Sequence, residues 1–184
     1  MNLQRLFEIQ AELDLAIIEK KGLQGKDLLP ERILALQVEL GECANEWRGF
    51  KFWSEDQEPR TIGQPKMLPK HSGGSGEWYT PNPLLEEYVD VLHFVLSIGN
   101  HHLTDEEKSY EVHDMILPSV THQFTELLMV DWSRSDDTCG AYRYNTGLKM
   151  FVALGEMFGF TWEEIEQAYL DKNKINHERQ ANGY

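Results

Sequence analysis

Apolar residues recur at three- and four-residue intervals along most of the chain, the spacing that places them on one face of a helix. Leu3, Leu6, Phe7, Ile9, Leu13, Ala16 and Ile17 predict an amphipathic helix over residues 3–20, stopped by Gly22 and Gly25. Pro30 fits a first helical turn, and Glu31 to Arg48 follows as a second helix. Ile33, Leu34, Leu36, Val38, Leu40 and Ala44 are its expected buried side. Pro83 to Asn100 is apolar on nearly every side, which predicts the central helix of the fold. A break is expected over Asn100–Asp105, after which Thr104 and Glu107 form a capping-box start. Residues 105–132 read as helical in part, interrupted at Pro118. Tyr142–Phe158 predicts a further helix ended by Gly159, and Thr161 with Glu164 opens the last one. Strand-like alternation persists nowhere. The expectation is an all-α bundle of about six helices, forming one domain over residues 1–184.

The polar residues that interrupt this pattern carry the candidate chemistry. Glu39 and Glu42 lie three apart on the second helix, and Glu87 and Asp90 lie three apart on the third. Each pair therefore projects from one helical face. Glu46 continues the first stripe, and a solvated acidic face is the ordinary meaning of such spacing. Apolar residues on the other faces of the second helix argue instead that it is covered on most sides. An acidic pair inside the very apolar third helix is costly unless compensated. His93, three residues after Asp90, reads as a satisfied core histidine or a supporting group before it reads as a ligand. Gln10 and Asp14, four apart on the first helix, read on pattern alone as solvated surface.

Two irregular stretches separate the helices. Ser54–Pro83 is rich in Pro, Gly, Ser and charge, too long for an ordinary connection, and reads as a flexible loop or lid. Its Gly-Gly-Ser-Gly run lacks the lysine and hydroxyl of a P-loop. Asp131–Thr138 is a polar loop. Lys51 lies among Phe50, Phe52 and Trp53 at the end of the second helix, while Lys172, Asn176 and Arg179 share one face of the last.

Charge narrows the class. With 31 acidic against 17 basic residues the formal net charge is -14, which lacks the electrostatic footprint of a nucleic-acid binder. At 184 residues and 41% hydrophobic content the chain can build a real core. Cys43 and Cys139 match no zinc spacing and read as free thiols of a reducing cytoplasm. No signal peptide or membrane span is expected, so the localisation read from the sequence is cytoplasmic.

Four carboxylates converging from two helices are tolerable only with cations among them. Magnesium takes oxygen ligands and bridges carboxylates to substrate phosphates, and paired ions activate water in phosphoryl chemistry. Lys51, Lys172 and Arg179 could then neutralise the outer phosphates. No Ser-His-Asp or Cys-His arrangement suggests a covalent route.

Three segments carry a resemblance: ELGECANEWRGFKFWS, LLEEYVDVLHFVLSIG and AYLDKNKINHERQANGY. Together they resemble the dimeric all-α dUTPases, within the all-α nucleoside triphosphate pyrophosphohydrolases that share an ExxE…ExxD signature with MazG-type enzymes. The KNxxNxxRQxxGY pattern of the last segment is the most specific part. The resemblance implies cleavage of dUTP, and of dUDP, between the α and β phosphates to give dUMP, in a homodimer. Carried over residue by residue, it implies metal binding by Glu39, Glu42, Glu87 and Asp90, with two or three Mg2+ ions per site. It implies that Glu39 orients or deprotonates the water, and that Lys51, Lys172, Asn176, Arg179 and Tyr184 hold the phosphates. Gln10 would hydrogen-bond the uracil, with Trp53 or Phe94 packed on it. In this family residues 101–140 correspond to a variable region. Two other readings stay open: a broader nucleotide-cleaning enzyme acting on dCTP or modified triphosphates, and a regulatory role in which residues 101–140 bind a protein partner.

Overall fold

The computed structural model describes residues 3–67, 78–109, 111–135 and 142–182. Seven helices are present among them: α1 Leu3–Lys21, α2 Leu29–Trp47, α3 Pro83–His102, α4 Asp105–Lys108, α5 Val120–Met129, α6 Tyr144–Met157 and α7 Trp162–Ala181. The fold is all-α, apart from a two-stranded antiparallel hairpin of β1 Lys66–Met67 and β2 Trp78–Tyr79. Strands of two residues are too short to leave an alternating pattern. No helix among the described residues is long and apolar enough to cross a membrane.

Local signals set the helix ends. Asn82 caps α3 by accepting from the Leu85 N–H at 3.1 Å, with Pro83 at a position whose N–H needs no partner. Thr104–Glu107 and Thr161–Glu164 both form complete capping boxes, as their spacing predicts. Ser119 caps α5 directly after Pro118, so the proline marks a helix boundary and not a kink. The helix expected to stop at Asn100 continues through His102. There Leu103 N–H closes the turn on Gly99 O at 2.8 Å, and the His102 ring meets Trp132 O at 3.0 Å. The bond to Trp132, 30 residues away, is invisible to local pattern.

The α3 helix is the axis of the bundle, packed by α2, α1, α7 and α6. Its side chains Leu84, Tyr88, Val91, Leu92, Val95, Leu96 and Ile98 are all buried. Tyr88 stacks on Phe151 of α6 with ring centroids 4.5 Å apart, and its hydroxyl donates to Phe151 O. Behind α6, the buried Gln123 donates to Met115 O and Met150 O and accepts from Leu117 N–H, fixing the irregular 111–118 segment to the core.

Two packing expectations fail. Leu34 and Val38 of α2 are 63% and 50% exposed, so one side of that helix faces away from this chain's core. Gln10 is the opposite case: expected at the surface, it is buried, because α3 and α7 close over α1.

After α2 the chain turns through Arg48 in the left-handed region, φ 64°. Its guanidinium reaches forward to Asp56, donating to the main-chain carbonyl at 2.9 Å and pairing with the carboxylate at 3.0 Å. Arg60 folds back on Glu46 at 3.3 Å, so the first part of the long connection is tied to the end of α2.

Candidate active site

The α2 and α3 helices face each other, which brings their acidic pairs together. Carboxylate oxygens of Glu39, Glu42 and Glu87 all lie within 4.8 Å of one another. Glu46 has left this stripe for Arg60. Asp90 lies one turn further along α3 and pairs with Lys172 of α7 at 2.5 Å. Burial, then Asp90 and neighbouring glutamates, push Glu39 and Glu87 up to about 7, with Lys172 partly offsetting them. Burial also raises Asp90, against the pull of Lys172.

Carboxylates held this close disfavour their own ionisation, and a cation among them would reverse that. An all-oxygen donor set of this kind suits a hard divalent ion. Cys43, buried beneath the cluster, is no thiolate ligand: burial and the nearby glutamates hold its thiol protonated.

A cavity of about 240 Å3 opens beside the acids. Glu39 and Asp90 form one part of its wall, Lys172, Asn176 and Arg179 of α7 another, and Gln10, Asp14, His93, Phe94 and Ser97 the rest. The cavity thus joins a carboxylate end, a cationic side and an end lined by an aromatic ring and buried amide and imidazole groups. Phe94 belongs to this wall, whereas Lys51 and Trp53 do not. Lys51 rests over the Phe50 ring at 5.6 Å, and Trp53 is 66% exposed, packed edge-on to Phe50 and Phe52. Tyr184 lies outside the described residues.

Sequence reasoning missed the polar network behind the cavity. Gln10 donates to Asp14 at 2.7 Å and accepts from the His93 ring at 2.7 Å and from the Tyr169 hydroxyl at 3.0 Å. Asp14 in turn accepts from Ser97 at 2.5 Å and meets Arg32 of α2 at 3.5 Å. A signal existed: Asp90, His93 and Ser97 lie at i, i+3 and i+7, a polar stripe on an otherwise apolar helix.

The family model described as dUTPase matches residues 2–65 and 79–184. The chain belongs to the dUTPase family. The match takes in both acidic pairs, the cationic face of α7 and the whole of residues 101–140. No curated protein matches the chain. As a dUTPase it is a hydrolase acting on a nucleoside triphosphate, and its substrate is the nucleotide dUTP. For a dUTPase the cavity is chemically apt, since a triphosphate needs cations at one end and a pyrimidine needs a flat, polar-edged slot at the other.

Proposed function

We propose that dUTP is hydrolysed at the α–β phosphate bond by a magnesium-assisted attack of water, releasing dUMP and diphosphate, and that dUDP is cut at the same bond. Glu39, Glu42, Glu87 and Asp90 would hold two or three Mg2+ ions. When bound, these ions would lower the pKa of water and neutralise charge on the phosphate oxygens. Glu39, at the join between the acid cluster and the cavity, orients the attacking water and takes its proton. Lys172, Asn176 and Arg179 bind the phosphate chain, with Lys51 and Tyr184 completing its cationic and hydroxyl contacts. Gln10 hydrogen-bonds the uracil, and Phe94 or Trp53 packs on its face.

The observation that carries this reading is the common wall: Glu39 and Asp90 share one cavity with the donors of α7 and with Gln10 and Phe94. The test is a nucleotide panel with magnesium, reading diphosphate against single phosphate. Diphosphate from dUTP supports the assignment, whereas single phosphate places the cut elsewhere. The enzyme acts as a homodimer, a reading supported by the exposed apolar residues Leu15, Leu34 and Val38 on α1 and α2.

A further inference from the structure

The base end of the cavity contains a directed chain of hydrogen bonds whose polarity is fixed from outside. Arg32 and Ser97 face one carboxylate oxygen of Asp14 at 3.5 and 2.5 Å. The other oxygen accepts from Gln10 Nε2 at 2.7 Å. An amide that turns its nitrogen to Asp14 must turn its oxygen away, and Gln10 Oε1 meets His93 Nδ1 at 2.7 Å and the Tyr169 hydroxyl at 3.0 Å. Because that oxygen only accepts, His93 Nδ1 carries the hydrogen. Burial holds the His93 ring neutral, down to about 3. Nε2 is then a bare lone pair, and it is buried with no hydrogen-bond partner among the described residues.

Within this network, Gln10 keeps its second N–H and His93 its Nε2 lone pair, and both residues line the cavity. Uracil presents acceptors at O2 and O4 with an N–H between them at N3. Cytosine carries a lone pair at N3. With the ring register fixed by the phosphates, the N3 hydrogen is what separates the two bases at an acceptor.

We infer that Asp14 is a positioning residue for base selection: through Gln10 it holds His93 in the tautomer whose Nε2 accepts from uracil N3 and repels N3 of cytosine. The inference rests on the proposed placement of the base beside Gln10 and extends it to discrimination. Asp14 acts on the base through the Gln10 amide, to which its carboxylate is bonded. A buried acceptor left facing a lone pair is strongly unfavourable, which is how sites built for one hydrogen bond reject near-isosteres.

The test compares kcat/KM for dUTP and dCTP in the wild type and in Asp14→Asn. Asparagine has the same shape but can offer an N–H, which lets the Gln10 amide and the His93 tautomer reverse. The expected result is a fall in the dUTP:dCTP ratio of at least about tenfold, carried mainly by KM for dUTP. A ratio within about twofold of wild type overturns the inference. A second measurement needs no variant of the network: 15N NMR of the wild-type imidazoles, with His93 assigned by its loss in His93→Gln. A hydrogen on Nδ1 and a bare Nε2 support the inference, and a hydrogen on Nε2 overturns it even if Asp14→Asn does not fold. Failure here is distinct from failure of the site assignment. If Glu39→Gln abolishes dUTP turnover while the ratio in Asp14→Asn is unmoved, the site stands and the selection device falls.

Discussion

Lys172 of α7 grips Asp90 of α3 at 2.5 Å, and this pair joins the acidic and cationic halves of the site. Both side chains are largely covered, so the lysine answers the burial cost of the aspartate while also facing the cavity. Lys172→Met leaves Asp90 without its partner. The expected cost is about 1–3 kcal/mol of stability. That corresponds to roughly 2–4 °C in melting temperature per kcal/mol for a chain of this size. Adding Asp90→Asn to Lys172→Met should recover part of the loss. Thermal melts of the two single variants and the double variant check this, and strictly additive losses would show that the pair is not coupled.

Glu39 and Glu87 make a pH prediction for metal-free protein. Their folded-state values lie at about 7, above the ordinary 4.5, so the native state binds more protons than the unfolded state between those limits. Stability is therefore highest below about pH 4.5 as far as these groups are concerned, and falls as pH rises towards 7. Both are partly exposed, so screening reduces the effect to on the order of 1 kcal/mol for the pair. Melting in EDTA should show a decline between pH 5 and 7 that Glu87→Gln weakens and a divalent cation reverses. A flat profile in EDTA would mean that neither burial nor the neighbouring carboxylates raise these two groups.

Gly99 tests the packing of the central helix. A methyl group there would meet the Tyr144 hydroxyl and come within 2.6 Å of Phe7 Cε1. Tyr144 cannot retreat freely, because its hydroxyl donates to Val95 O at 3.1 Å. Gly99→Ala should cost about 1–3 kcal/mol through overpacking, despite alanine's better helix propensity. Denaturant titration reads this directly, and an unchanged or higher midpoint would contradict the close approach of α1, α3 and α6.

Leu34 and Val38 test the proposed dimer. They stand one turn apart on the exposed side of α2. Replacing both with glutamate should shift the mass by light scattering from dimer to monomer at micromolar concentration, without loss of helical signal. A monomeric wild type, or a dimeric double variant, would contradict the assignment of this face.

Much of the fold is legible in the sequence because its signals are local. Pro83 and Asn82, the two threonine capping boxes and the break after Pro118 set helix ends through bonds spanning at most a few residues. The acidic pairs are legible for the same reason, since three-residue spacing fixes a shared face. Asp14 is not legible. It reads as surface on α1 and is covered only because Ser97, 83 residues away, and Arg32 close on it. Leu34 and Val38 mislead in the other direction, since a stripe apolar enough for a core can equally face a second molecule. Lys51 and Trp53 follow the left-handed turn at Arg48 and are not among the residues that line the cavity, which their place in the sequence does not reveal.

Turnover of dUTP by Glu39→Gln measures most directly whether the carboxylate cluster of α2 and α3 carries the reaction. With magnesium present and dUMP and diphosphate both followed, the wild type should release them in equal amounts. Glu39→Gln should lose roughly 10³-fold or more in kcat, the scale expected when a positioned proton acceptor and metal ligand is removed together. Its circular dichroism and melting temperature should stay at or above wild type, because one of the mutually repelling acids has gone. A Glu39→Gln variant that keeps its kcat within about tenfold of wild type would contradict the assignment of the reaction to this carboxylate cluster.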